Sequence, residues 1–306
     1  MSRAVLITGA TGKQGGAVIK ALLKANADFE ILALTRDAQS ASAQRLLKQS
    51  PKIKLVMGNL DDTDDIFSKA EEVTKAPIWG VFSVQAAIGG GANSRTEEVQ
   101  GKTLIDASLK NGVKNFVYSS VDRGGSKSDD DPTDVPHFIS KHNIEQHLYE
   151  KTKDGGMNWT VFRPVGFFDN LVPGFMGKVF NTSWKINLKK DRKLQLIATS
   201  DIGFFAAEAF AKPEEYKNKK LSLAGDELTY EQYATIFQQK TGDDLPTTFE
   251  FIARFINWMV NELGYMFRWF NNVGYAADIP SLKKMNPELK DFATWLEKES
   301  QFKTRS

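Results

Sequence analysis

The 306-residue sequence has no cysteine, only three histidines and a formal net charge of only +2, and each scarcity removes a class of function. Without cysteine there is no disulfide, no thiolate metal site and no cysteine nucleophile. The 40 basic residues barely outnumber the 38 acidic ones, so direct nucleic-acid binding is not expected. Long apolar runs are also lacking. The most apolar late stretch, Phe249 to Phe270, is interrupted by Arg254, Glu262 and Arg268. No membrane span is therefore expected, and the scattered charges would make a poor amphipathic anchor. An apolar strand begins almost at once, which predicts no leader peptide and a cytoplasmic location, with the nucleus as a second compartment. His137, His142 and His147 are spaced by five, roughly 140° apart on a helix, and cannot converge on one metal ion.

What is present begins with a turn. Gly9-Ala-Thr11-Gly12-Lys13-Gln14-Gly15-Gly16 follows the apolar strand Ala4–Thr8 and precedes an amphipathic helix carrying Val18, Ile19, Leu22 and Leu23. Glycines at intervals of three let the backbone approach a pyrophosphate, which the helix N-terminus stabilises with unpaired N–H groups and its dipole. The strand before and the helix after are the context this motif requires for dinucleotide binding.

Further strands are predicted at Ile31–Leu34, Ile53–Met57, Ile78–Ser83, Asn115–Ser119 and Trp159–Arg163, with helical patterns near 39–49, 62–74, 94–111 and 138–152. Such alternation predicts an α/β fold with a doubly wound parallel sheet and ligands at the carboxyl ends of its strands. Beyond strand six, Gly174–Lys193 reads as loop. A strand at Leu194–Thr199, a helix from Asp201 to Ala211 and a short strand at Leu221–Leu223 follow, then helices from Thr229, over 249–270 and over 288–298. The expected division is a nucleotide domain over 1–165 and a smaller α+β lobe over 166–306, with some of its segments free to return to the sheet.

The strand ends refine the ligand. After strand two the first charged residue is Arg36, which can hold a ribose 2′-phosphate, with Lys13 as a second cation. The lesser alternative is that both are solvated, and Asp37 could take the role an acidic residue plays toward NAD. NADP(H) is the favoured cofactor. Asn59, Leu60 and Asp61 after strand three are placed for adenine, although Asp61 or Asp62 could simply cap the next helix. Val84 and Gln85 after strand four would border the nicotinamide. Ser119, after strand five, and Lys141, after His137, complete the candidate catalytic set. A serine followed by Tyr-x-x-x-Lys is the short-chain dehydrogenase arrangement, in which the phenol donates a proton. Here His137 stands in the tyrosine's place. Beside a lysine cation it would be pushed toward its neutral form, and a substrate carboxylate could restore it. It could also be a plain helix-start residue.

Together these segments resemble the NmrA-like branch of the atypical short-chain dehydrogenases/reductases. The resemblance is carried by Val5–Gly16, Thr35-Arg36, Gly58–Asp62, Pro136–Lys141, Arg163–Leu171, Asp201-Ile-Gly203, Gly274–Ile279 and Trp295-Leu296. It implies a Rossmann domain, NADP(H) preference, cofactor contacts from Arg36, Lys141, Phe167 and Asn170, and no active-site tyrosine. It also implies one of two functions. One is reduction of a small, fairly apolar carbonyl or conjugated substrate. The other is non-catalytic redox sensing through a regulatory protein partner, in which the 84–95 loop would be ordered by cofactor. A homodimer is compatible with either. The aromatics of 249–270 would line a substrate cleft or form the lobe's own core.

Overall fold

The computed structural model describes residues 3–86 and 93–305. The glycine-rich part of the 84–95 loop, Gly89 to Gly91, lies outside the described residues. The chain forms two compact units that interleave along the sequence. Unit 1 comprises Met1–Ser120, Ser140–Phe162 and Ile202–Leu221, and unit 2 comprises Val121–Ile139, Arg163–Asp201 and Ser222–Ser306.

Unit 1 is built on β1 (Arg3–Ile7), α1 (Lys13–Lys24), β2 (Phe29–Thr35), α2 (Ala41–Leu47), β3 (Ile53–Met57), α3 (Thr63–Val73), β4 (Ile78–Ser83), α4 (Ser94–Lys110) and β5 (Asn115–Ser119). The remainder comes from most of α5 (Pro136–Thr152), β6 (Asn158–Pro164), α7 (Thr199–Ala211) and β9 (Lys219–Leu223), with all of α8 (Pro213–Tyr216); the first residues of α5 and α7 and the last of β6 and β9 fall in unit 2. The strands order β3-β2-β1-β4-β5-β6-β9, and the pairings from β3 through β6 are parallel. Parallel strands need crossover helices on both faces, and alternation along β1 shows the result. Ala4 and Leu6 join a core with Ile66, Leu104, Ile144 and Leu148 from α3, α4 and α5. On the other face, the space above Gly80 is filled by Phe210 and Val5, and a Cβ there would lie 2.8 Å from the Phe210 ring.

Unit 2 contains β7 (Gly166–Phe167), α6 (Phe175–Asn187), β8 (Leu194–Ile197), β10 (Asp226–Leu228) and the helices α9 (Tyr230–Thr241), α10 (Glu250–Met259), α11 (Asn261–Asn272), α12 (Ile279–Met285) and α13 (Phe292–Lys298). Its small sheet runs β10-β8-β7, antiparallel then parallel. Stacked aromatics make the core: Phe168 on Phe292 and Trp295, and Tyr233 on Phe292, with centroids 4.4–5.7 Å apart.

Several expectations for this part need correction. The segment read as loop over 174–193 is mostly α6, a helix that buries Val179 and Trp184. The expected single helix over 249–270 is two, broken at Val260. The last helix begins at Phe292 rather than 288, and α12 was not anticipated. The aromatics of 249–270 divide: Trp269 and Phe270 are buried, while Phe249, Phe251, Phe255, Trp258 and Met259 are exposed. Among the described residues no helix is long and apolar enough to cross a membrane.

Helix α1 packs against α7 through small residues, and a Cβ on Gly203 would lie 2.5 Å from the Ala17 backbone. Gly203→Ala should cost about 2 kcal/mol by overpacking. Gly264→Ala in α11, where nothing lies within 4 Å, should be neutral or stabilising by up to about 1 kcal/mol. Urea unfolding of both variants checks the contrast.

Candidate functional site

The carboxyl end of the unit 1 sheet is organised by the glycine turn. Thr8, fully buried, donates its hydroxyl to the Val84 carbonyl at 2.9 Å and accepts the Val84 N–H at 2.8 Å, tying the ends of β1 and β4. Gly9 has φ +57°, a conformation that disfavours a side chain, and a Cβ there would lie 2.9 Å from Val84. A Cβ on Gly15 would lie 2.5 Å from the Thr8 carbonyl oxygen. The turn therefore brings the start of α1 against the end of β1. Thr11, Gly12 and Lys13 are exposed along it. Gly12 is the N-cap and supplies no side-chain acceptor to the first N–H groups. A helix start whose cap offers the first N–H groups no side-chain acceptor suits an anion.

Around this turn the strand ends carry distinct chemistry. Arg36, after β2, is exposed and makes no ion pair among the described residues. Asp37 accepts the Gln39 N–H at 2.8 Å, which occupies a carboxylate oxygen within its own turn. After β3, Asn59 donates to Asp61 at 2.7 Å and Gln100 of α4 donates to the other Asp61 oxygen at 2.7 Å, while Leu60 is half-buried. Asp62, not Asp61, caps α3 through the Asp65 N–H at 3.1 Å. After β4, Gln85 is buried. Its amide donates to Ser83 at 2.8 Å, and its Oε1 is a buried acceptor with no hydrogen-bond partner among the described residues. Such an orphan is costly unless a ligand donor meets it.

Ser119 at the end of β5 is buried and donates its hydroxyl to Gln14 Oε1 at 2.6 Å, joining the glycine turn to the serine position. A substrate oxygen would compete with that bond. Ser120 donates to buried Glu145. Lys141 in α5 pairs with Glu97 Oε1 at 2.8 Å, and its Nζ lies 3.5 Å from the Ser119 carbonyl. Glu97 is 0% exposed. The sequence reading missed it because its partner lies more than forty residues away.

In unit 2, His137 occupies the first turn of α5, just after Pro136, whose missing N–H is no loss at that position. Glu262 of α11 accepts both the His137 backbone N–H at 2.9 Å and its Nδ1 at 2.7 Å. A carboxylate only accepts, so Nδ1 carries the hydrogen. This carboxylate comes from the chain itself, 125 residues on. Burial opposes the charge on Glu262, but the hydrogen bonds from His137 outweigh it and hold the carboxyl below its ordinary value. Phe167 is half-buried in β7, paired beside Ile197, and Asn170 is exposed in the short turn that follows. Between them, Phe168 is core and Asp169 caps α7 by accepting from Thr199. Among the described residues no three His, Asp or Glu side chains could hold a metal.

The model of the NmrA-like family matches residues 1–297. An NmrA-like family domain-containing protein of Dictyostelium discoideum is 26% identical over 309 residues, covering 97% of this chain and 98% of its own. An NmrA-like family domain-containing oxidoreductase of Malbranchea aurantiaca is 27% identical, covering 79% and 74%. Among solved structures, the Citrobacter sp. triphenylmethane reductase complexed with NADP(H) has a TM-score of 0.71 at 18% identity, covering 95% of this chain and 98% of that one. NmrA, a negative transcriptional regulator, in complex with NADP, has a TM-score of 0.70 at 15% identity, covering 98% and 96%. The structural likenesses establish a shared fold.

The His137–Glu262 pair makes a pH prediction. A carboxyl whose folded value lies below 4.5 contributes stability above that pH and loses it as pH falls through the folded value. Between pH 6 and pH 3 the parent should therefore lose more stability than Glu262→Gln. Glu30, Glu98 and Asp291 are also lowered, so a common acid loss remains in both proteins. Parallel slopes in urea titrations across this range would reject the assignment.

Proposed function

Because the chain belongs to the NmrA-like family, we propose that it binds NADP(H) and reduces a small apolar carbonyl or conjugated substrate. The observation that carries the cofactor choice is the division of labour after β2. Arg36 is exposed and without an ion pair among the described residues, whereas a carboxylate oxygen of Asp37 is committed to its own turn. The glycine turn fits a pyrophosphate, since neither Gly9 nor Gly15 has room for a Cβ. The orphaned Gln85 Oε1 fits a donor on the nicotinamide side. Support for redox chemistry comes from the Malbranchea relative, described as an oxidoreductase, and from the Citrobacter reductase complexed with NADP(H).

In this reading Gly9, Thr11, Gly12, Gln14 and Gly15 hold the pyrophosphate, and Arg36 with Lys13 holds the 2′-phosphate. Asn59, Leu60 and Asp61 border the adenine, Val84 and Gln85 the nicotinamide, and Lys141 its ribose. Phe167 and Asn170 are the assignments in unit 2. When bound, the reduced cofactor supplies hydride. For the proton the chain offers His137. Glu262 fixes its Nδ1 hydrogen, so Nε2 is the nitrogen that exchanges.

A second reading is a redox sensor acting through a protein partner. The observation favouring it is the outward aromatic face of α10, where Phe251 and Trp258 are 70% and 73% exposed. The NmrA neighbour is described as a negative transcriptional regulator.

Titration calorimetry tests the cofactor. Arg36→Ala should weaken NADPH about 10- to 100-fold, the worth of hydrogen bonds to a charged group, and leave NADH unchanged. An equal loss for both would reject the phosphate assignment. Single-turnover oxidation of bound NADPH by a panel of enones and aldehydes tests catalysis. There His137→Asn should slow turnover by about 100-fold or more without changing NADPH affinity. No turnover with any substrate, together with a redox-dependent partner lost in Trp258→Ser, would favour the sensor.

A further inference from the structure

Glu97 is a fully buried acid that pairs with a lysine of the proposed cofactor site. It sits in the first turn of α4, where a capping box between Asn93 and Thr96 fixes the backbone just before it. Its two oxygens are used differently: Oε2 takes a hydrogen bond, whereas Oε1 has an ion pair and no hydrogen-bond partner among the described residues. Oε2 accepts from the buried Ser140 hydroxyl, and Oε1 faces Lys141 Nζ at 2.8 Å. Ser140 and Lys141 are adjacent in α5, so one carboxylate grips two consecutive residues of that helix. The ammonium is further located by the Ser119 carbonyl at 3.5 Å and by the Tyr118 ring, whose centroid lies 5.9 Å away. A lysine on a flexible four-carbon stem normally searches many rotamers. Here, by contrast, the side chain is only 12% exposed and the ammonium lies at the carboxyl end of β5.

We propose that Glu97 is the positioning residue for Lys141: it holds the ammonium in place for the nicotinamide-side ribose. This rests on the reading of Lys141 as the ribose contact. A buried pair of this kind could serve the fold alone, because an acid without its partner is strongly penalised inside a protein. The two roles differ in what they do to the two halves of the ligand. A positioning role concerns only the nicotinamide half, whereas a role in folding alone affects both halves alike.

The test uses the full chain and two probes, NADPH and 2′,5′-ADP, which carries the 2′-phosphate but no nicotinamide ribose. Glu97→Gln should weaken NADPH about tenfold, as expected for losing a charged contact, and leave 2′,5′-ADP within twofold. Glu97→Asp should recover part of the loss. Lys141→Met should weaken NADPH to a similar extent, and the double variant Glu97→Gln/Lys141→Met should be no weaker than Lys141→Met alone. The double variant is charge-neutral and serves if Glu97→Gln folds poorly. Additive losses in NADPH affinity, no loss in Glu97→Gln, or an equal loss of 2′,5′-ADP would each overturn the proposal. A Lys141→Met protein that binds NADPH like the parent would instead remove the ribose reading itself, and the positioning role with it.

Discussion

The arrangement at the head of unit 1 depends on there being no side chain at Gly15. The position a Cβ would take is 2.5 Å from the Thr8 carbonyl oxygen, so α1 can start against β1 only if that residue is glycine. The same helix is closed on another side by Ala17 against Gly203, again with no space for a methyl group. Helix α1 is thus seated by small residues at two points, and its N-terminal donors are held at the end of β1. Thr8 extends the constraint sideways by joining β1 to β4. Gln14 carries it to β5 through the Ser119 hydroxyl. Three strand ends are registered to one turn, which is what a ligand spanning several strands requires.

Charge is handled differently from shape. Each unit buries carboxylates and compensates them in its own way. In unit 1 Glu97 meets an ammonium and a hydroxyl, and Glu145 meets Ser120 and Tyr149. In unit 2 Asp201 faces Lys290 at 2.9 Å and also accepts the Lys290 backbone N–H. Burial pushes the Asp201 carboxyl up, with Lys290 pulling the other way, and the net direction is upward. Its contribution to pH dependence therefore opposes that of Glu262: it favours folding more at low pH and less as pH rises through the raised value. An acid profile of the whole chain sums these opposing signs, and only single substitutions separate them.

Local pattern was enough to read β1 to β6, their helices and the glycine turn, because each rests on periodicity and on punctuation within a dozen residues. It failed where structure is set by distant partners. Gly174 and Gly177 make 174–193 look like loop, yet Gly177 is required by the close approach of the Val172 carbonyl, and Val179 and Trp184 find a core. The break at Val260 has no glycine or proline to announce it. Glu97 and Glu262 were passed over for a related reason. Nothing near them in sequence distinguishes them from solvated helix acids, and their partners lie 44 and 125 residues away. His137 shows the consequence. Its ring is oriented by the Glu262 carboxylate on Nδ1, a contact that no residue near it in sequence announces.

The aromatics of α10 are the other place where pattern and structure part, and the physical reason bears on function. A run of Phe, Trp and Met normally marks a core. The core of unit 2 is filled from elsewhere, by Trp184, Tyr233, Phe292 and Trp295, all buried and in ring-to-ring contact. Helix α10 contributes Ala253 to the interior, and its Asn257 accepts from Ser183 at 3.0 Å. Phe251, Phe255 and Trp258 thus point away from a core that does not need them. Leaving them in water forgoes roughly 1.5–3 kcal/mol for each large apolar side chain. A helix apolar on both its inner and outer faces calls for a second apolar neighbour. An apolar substrate and a protein partner both meet that demand, and they differ in size. A small molecule covers one or two rings, whereas a partner covers the whole stripe from Phe249 to Met259. Under the two proposed readings, the extent of protection along that stripe would tell a small ligand from a protein partner.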